Sequence, residues 1–149
     1  MYNQNHQLFE DMFNMVCGDK LGSGAYRDVY THKFDKDLVI KVEQDRTHRT
    51  FANVLEHYFW NEAPESTREW LAPVISLSPD GLVSFQKRTC ALPYDFQFPD
   101  KLPRFLRDIK PENFGLYKGR LVCHDYQMLN LKFDNQLKKY DNPIFYQIN

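Results

Sequence analysis

The spacing of apolar positions changes several times along the chain, and each spacing names an element. Leu8, Phe9, Met12, Phe13 and Val16 recur at the period of a helix, with Gly18 as a stop. An amphipathic helix is therefore expected over 1–17, its apolar stripe packed on the core. From Lys20 the pattern changes. Gly22 and Gly24 punctuate a turn that enters a strand through Val29 and Tyr30, and Phe34-Asp35-Lys36-Asp37 supplies the next turn. Residues 38–42 then form a compact apolar strand carrying one lysine, Lys41. Helical spacing returns over 45–61, where Phe51, Val54, Leu55, Tyr58 and Phe59 make one apolar stripe. Asp45 or Thr47 can cap that helix, and Pro64 ends it.

Two strands follow, 73–77 and 82–87, joined by Ser78-Pro79-Asp80-Gly81. Residues 89–103 are rich in proline and aromatics and poor in periodicity, which reads as a linker with one helical turn. Short strands are expected at 114–117 and 120–123, around a Lys118-Gly119 turn. The tail carries Phe133, Leu137, Ile144, Phe145 and Ile148, enough to pack back or to meet another chain.

Composition narrows the class. A chain of 149 residues with 42% hydrophobic and 26% charged residues can bury a core and is not of disordered type. Its formal charge of −1 provides no global positive field for nucleic acid or an anionic membrane, and the Lys138-Lys139 doublet is expected on a solvated face. No apolar stretch approaches membrane-spanning length. Cys17, Cys90 and Cys123 are odd in number and far apart, the usage of reduced thiols in a cytoplasmic compartment. Cys123-His124-Asp125 lacks a second ligand cluster to complete a metal site.

The chemistry concentrates in Arg107-Asp108-Ile109-Lys110-Pro111-Glu112-Asn113, followed twelve positions after Asn113 by Asp125. An Asp and an Asn five apart on a Pro-containing loop, with a second Asp on the next strand, suit phosphoryl transfer. The first Asp can orient an attacking hydroxyl, and the Asn and second Asp can hold a metal that bridges phosphates.

The order of glycine hairpin, strand lysine, helix with glutamates, two strands, linker, Asp/Asn loop and Asp resembles the protein-kinase-like superfamily over residues 18 to 127. Asp108 to Asn113 looks like a Ser/Thr-kinase catalytic loop. The resemblance implies an α+β fold: an antiparallel-sheet N-lobe with one main helix (18–88), a hinge and linker (89–107), and a severely truncated C-lobe forming a catalytic strip and tail (108–149). It implies ATP and magnesium as cofactors. Gly22 and Gly24 would let the backbone approach phosphates, Val29 would roof the base, and Lys41 would contact the α- and β-phosphates with Glu56 as partner and Glu62 as rival. Asp108 would accept or orient the acceptor proton, Lys110 would offset charge on the transferred group, and Asn113 and Asp125 would hold magnesium.

The sequence also departs from that pattern. Arg27 replaces the third loop glycine, where its side chain either contacts or crowds phosphate. Leu106 stands where a histidine usually precedes Arg-Asp, and Asp125-Tyr126-Gln127 replaces Asp-Phe-Gly. Only nineteen residues separate Arg88 from Asp108, so a long helix before the catalytic loop is short or absent. The 24 residues after Asp125 leave no room for a usual activation segment or peptide-docking subdomain. The chain thus looks like a minimal kinase, similar to small phage and prokaryotic proteins with kinase-like cores, which implies a cytoplasmic location, the host's cytoplasm if it is phage-encoded. The expected activity is transfer of the γ-phosphoryl group to a hydroxyl on the protein itself or on a partner. The alternatives are a pseudokinase acting as a binding or inhibitory module, for which apolar surface would suit homodimerisation or docking, and a small-molecule kinase.

Overall fold

The computed structural model describes residues 4–45, 50–129 and 132–140. Among them lie three α-helices and a five-stranded antiparallel sheet, a mixed α+β architecture. The chain divides into two compact units, Met1–Asn53 with Ile75–Arg88, and Val54–Val74 with Thr89–Asn149. No helix among the described residues is long and apolar enough to cross a membrane.

The first unit begins with α1 (Gln4–Val16), which runs directly into β1 (Cys17–Ser23). Gly18 therefore lies inside a strand and does not stop the helix. Its missing side chain makes room for Thr31, whose Oγ1 a Cβ at this position would strike. β2 (Arg27–His32), β3 (Leu38–Glu43), β4 (Val74–Leu77) and β5 (Val83–Lys87) complete a sheet in the order β1-β2-β3-β5-β4. Turn chemistry places these strands close to where the alternation predicts them. Asp80 closes the Ser78–Gly81 turn by accepting from the Ser78 hydroxyl at 2.7 Å and the Leu82 N–H at 3.0 Å.

The stripe on α1 does not pack as expected. Phe13 and Val16 are half-buried, and Phe13 meets Tyr30 edge-on at 5.1 Å. Leu8, Phe9, Met12 and Met15 stay exposed. Period alone identifies which face of a helix is apolar and says nothing of what covers it.

The second expected helix starts later. α2 spans Ala52–Glu62, Asp45 lies outside it, and Thr47 falls outside the described residues. Most of the expected apolar stripe is exposed: Phe51, Val54, Leu55 and Tyr58 lie on the surface, and of the stripe only Phe59 is buried, alongside Ala52, Asn53, Glu56 and Ala63. The buried polar members have hydrogen-bond partners, which removes the penalty that would otherwise keep them outside. A short helix, α3 (Glu65–Arg68), follows Pro64.

The core of the second unit gathers Phe59, Leu71, Leu102, Phe105, Leu106, Phe114, Tyr126 and Leu129. Leu106 is thus an apolar core residue, and its position calls for no hydrogen bond. Residues 89–100 contain one hydrogen-bonded turn, the Phe96 N–H donating to the Pro93 carbonyl at 3.0 Å, and no helix. Instead β6 (Lys101–Pro103) pairs with β9 (Leu137–Lys139), joining Leu102 to Lys138. β7 (Phe114–Tyr117) and β8 (Arg120–Cys123) form the expected hairpin. Lys118 and Gly119 both have positive φ, 50° and 76°, as a two-residue hairpin turn requires. Of the tail, Phe133 packs on Phe59 at 6.3 Å, while Ile144, Phe145 and Ile148 lie outside the described residues.

Candidate active site

The second unit holds Asp108, Lys110, Asn113 and Asp125. Asp108 follows the buried Phe105 and Leu106 and adopts φ 47°, a left-handed conformation that Asp tolerates better than most residues. Pro111 then opens a single 3-10 turn, Pro111–Asn113, closed by the Asn113 N–H to the Lys110 carbonyl at 3.0 Å. The turn brings the Asn113 side chain back over the loop. Its Nδ2 donates to the Asp108 carbonyl at 2.7 Å and to Asp108 Oδ2 at 3.2 Å. The Lys110 ammonium stands 3.4 Å from that same carboxylate oxygen. Asn113 is buried and Asp108 half exposed, so the loop offers one carboxylate to an incoming group on a braced backbone.

The brace extends to Asp125. Beyond the paired Phe114 and Cys123, the His124 N–H donates to the Asn113 carbonyl at 2.8 Å. Asn113 and Asp125 therefore emerge at one end of the β7–β8 hairpin. The ring of His124 also works in this joint: Nε2 lies 2.7 Å from the Glu112 carbonyl and Nδ1 lies 2.7 Å from Thr89 Oγ1. A carbonyl only accepts, so Nε2 carries a proton and donates. Thr89 comes this close because residue 115 is glycine; a Cβ there would meet the Thr89 side chain and lie 2.9 Å from the Cys90 carbonyl. Sequence reasoning missed His124, Thr89 and Gly115 as parts of the site, since their partners are distant in the chain.

Glu56 and Tyr126 form a second joint in this unit. The Tyr126 N–H donates to Glu56 Oε2 at 2.9 Å, and the Tyr126 hydroxyl donates to the Ala72 carbonyl at 2.7 Å. Both side chains are about 1% exposed, whereas Glu62 lies on the surface.

The first unit holds Gly22, Gly24, Val29 and Lys41. Register aligns three of them: Gly22 pairs with Val29, Val29 with Lys41, and Lys41 with Ser84. Directly paired residues share a face, so Val29, Lys41 and Ser84 lie side by side. Lys41 is buried. A Cβ on Gly22 would meet nothing within 4 Å, and one on Gly24 only the Arg27 carbonyl at 3.7 Å. Internal packing therefore does not demand glycine at either position, and the open space suits the close approach of a ligand. The hairpin is shaped by Asp28, which accepts from Ser23 at 2.7 Å and Gln44 at 3.1 Å and pairs with Lys20 at 3.5 Å. Its carboxyl is held below the ordinary range, chiefly by the Ser23 hydrogen bond. Arg27 is buried and donates to Asn53 Oδ1 at 3.0 Å, which commits its guanidinium to α2.

Magnesium takes oxygen ligands, commonly one or two from protein and the rest from phosphate and water. The Asn113 amide nitrogen is used within the loop, and its Oδ1 makes no hydrogen bond among the described residues. With the Asp125 carboxylate it makes a donor set of the right chemistry. Among the described residues no three His, Cys, Asp or Glu side chains gather as a metal cage, so such an ion would draw its other oxygens from a ligand. The chain matches no protein-family model and no curated protein.

Proposed function

We propose that this protein is a minimal kinase-like phosphotransferase that uses ATP with magnesium and phosphorylates a protein hydroxyl. The observation that carries this reading is the Asp108–Asn113 loop: a half-exposed carboxylate held by Asn113 and Lys110, on a turn fixed to the strand that delivers Asp125. The element order and the α+β architecture support it as well. In this reading Asp108 accepts the proton of the acceptor hydroxyl as its oxygen attacks the γ-phosphorus, and the bond to the β–γ bridging oxygen breaks to release ADP. Lys110 offsets charge on the transferred group. Asn113 and Asp125 are the residues that would hold a magnesium ion, which would supply charge neutralisation when bound. Nucleotide contacts fall to Gly22, Gly24, Val29 and Lys41, and Glu56 fixes the backbone beside Asp125.

The test is transfer from labelled ATP with magnesium to the protein itself and to lysate proteins. Asp108→Asn is the variant of choice because Asn also tolerates the left-handed backbone. It is expected to lower transfer by about 10²–10⁴-fold, the usual contribution of a positioned proton acceptor. Asp125→Asn should abolish the magnesium-dependent part of a nucleotide-induced rise in melting temperature. If ATP with magnesium leaves the melting temperature unchanged in the wild type, the nucleotide reading is wrong.

A second reading, a pseudokinase acting by occupying a partner, is favoured by one observation: the exposed apolar faces of α1 and α2. A nucleotide-dependent stabilisation without transfer, together with binding to a protein target, would select it.

A further inference from the structure

Beside Asp108 the second unit carries a cleft of about 420 Å³, within the range of ligand sites. Leu102 and Leu106, both buried in the core, are among its lining residues. Its rim is cationic: Arg104, Arg107, Lys138 and Lys139 all contribute, against the one carboxylate of Asp108. Arg104 has a long surface pair with Asp134 at 3.9 Å. Among the described residues no carboxylate pairs with Arg107, Lys138 or Lys139. This concentration does not follow from overall composition, because the chain's formal charge is −1. Two distant segments build it. The pairing of Leu102 with Lys138 lays the lysine doublet against the strand that leads into Arg104 and Arg107.

Resting on the phosphotransfer reading above, we infer that this cleft binds the acceptor, and that the acceptor is an acidic protein segment with a Ser or Thr among Asp and Glu residues. Three unpaired cations around one opening repel each other, and an anionic ligand relieves that repulsion. The ligand must also present a hydroxyl, because Asp108 lies in the same lining. An acidic peptide meets both conditions. Nucleic acid meets them less well, since its binding surfaces are long basic stripes on basic domains.

The experiment measures fluorescence anisotropy of a short labelled peptide carrying one Ser flanked by Asp and Glu, titrated with the full chain in the presence of ATP and magnesium. Matched peptides with Lys in place of the acids, and a single-stranded oligonucleotide, are run beside it. The acidic peptide is expected to bind at least about tenfold more tightly than the Lys peptide, and to weaken as salt rises. Arg107→Glu with Lys138→Glu should reverse the preference. Arg107→Gln, which removes one charge at an exposed position, should weaken acidic-peptide binding even where the double reversal disturbs β6–β9. Equal binding of acidic and basic peptides, tighter binding of the oligonucleotide, or no effect of Arg107→Gln would overturn the inference. Acidic peptide bound but never phosphorylated would sink the phosphotransfer reading and leave the cleft standing. Transfer to the basic peptide in preference would do the opposite.

Discussion

Asp108 and Asn113 were legible from the sequence because everything that relates them is local: five positions, one proline and one turn. The structure adds what the spacing did not name: Asn113 Nδ2 donates to the Asp108 carbonyl at 2.7 Å and to its carboxylate at 3.2 Å. His124 was not legible in this sense. Its ring partners lie 35 and 12 residues away, and no spacing rule links a threonine after one strand to a histidine after another. The same holds for Gly115, which looked like any strand glycine until Thr89 was seen against it. Two substitutions follow at this scale. Thr89→Val keeps the shape and removes one hydrogen bond, which should cost about 1 kcal/mol of stability. Gly115→Ala should cost more, roughly 1–3 kcal/mol, because the new methyl meets a side chain and a carbonyl that are both held in place. Thermal or urea unfolding of the two variants gives the ranking, and a smaller effect for Gly115→Ala would mean that Thr89 yields easily.

Among the elements, β7 and β8 were readable because a two-residue turn with glycine second sets the register by itself. The helices were readable in existence but not in orientation. On α2, Val54, Leu55 and Tyr58 stay exposed while Asn53 and Glu56 are buried with hydrogen-bond partners, and a hydrophobic pattern cannot anticipate such partners. Exposure predicts how α1 responds to change. Met12→Ala and Leu8→Ala should move stability by no more than about 0.5 kcal/mol, as surface substitutions do. Phe13→Ala should cost clearly more, through lost contact with Tyr30. Equal costs in melting experiments would mean that the whole stripe is covered.

The β1–β2 hairpin makes a prediction in pH. Asp28 is more acidic in the folded hairpin than in the unfolded chain, so its contribution is full above the unfolded value near about 3.9 and is lost as pH falls through the folded value below it. Comparing wild type with Asp28→Asn, the stability difference at neutral pH should shrink toward zero in acid. A difference that is flat with pH would detach Asp28 from the hairpin's stability.

At the scale of the molecule, the grouping of residues 54–74 with 89–149 could not be read from the sequence, where they are parts of two separate patterns. The cysteines report on both units. Cys90 is exposed, Cys17 is buried in the first unit and Cys123 in the second. Burial also pushes the Cys17 thiol pKa up, with the Lys33 charge opposing, which reduces its thiolate further. Alkylation followed by mass spectrometry should therefore label Cys90 quickly and the other two only on opening. Separate rates for Cys17 and Cys123 would show that the units open independently, and one shared rate that they open together.

Tyr126 is tied at its amide to Glu56 and at its hydroxyl to Ala72, with its ring enclosed. Two hydrogen bonds of about 1 kcal/mol each and a buried ring of about 2 kcal/mol leave a turned-out arrangement in roughly one molecule in a thousand. A joint so held has no idle position. Glu56 and Tyr126 are therefore coupled, and any rearrangement of the backbone just after Asp125 has to carry the α2 carboxylate with it or break that tie.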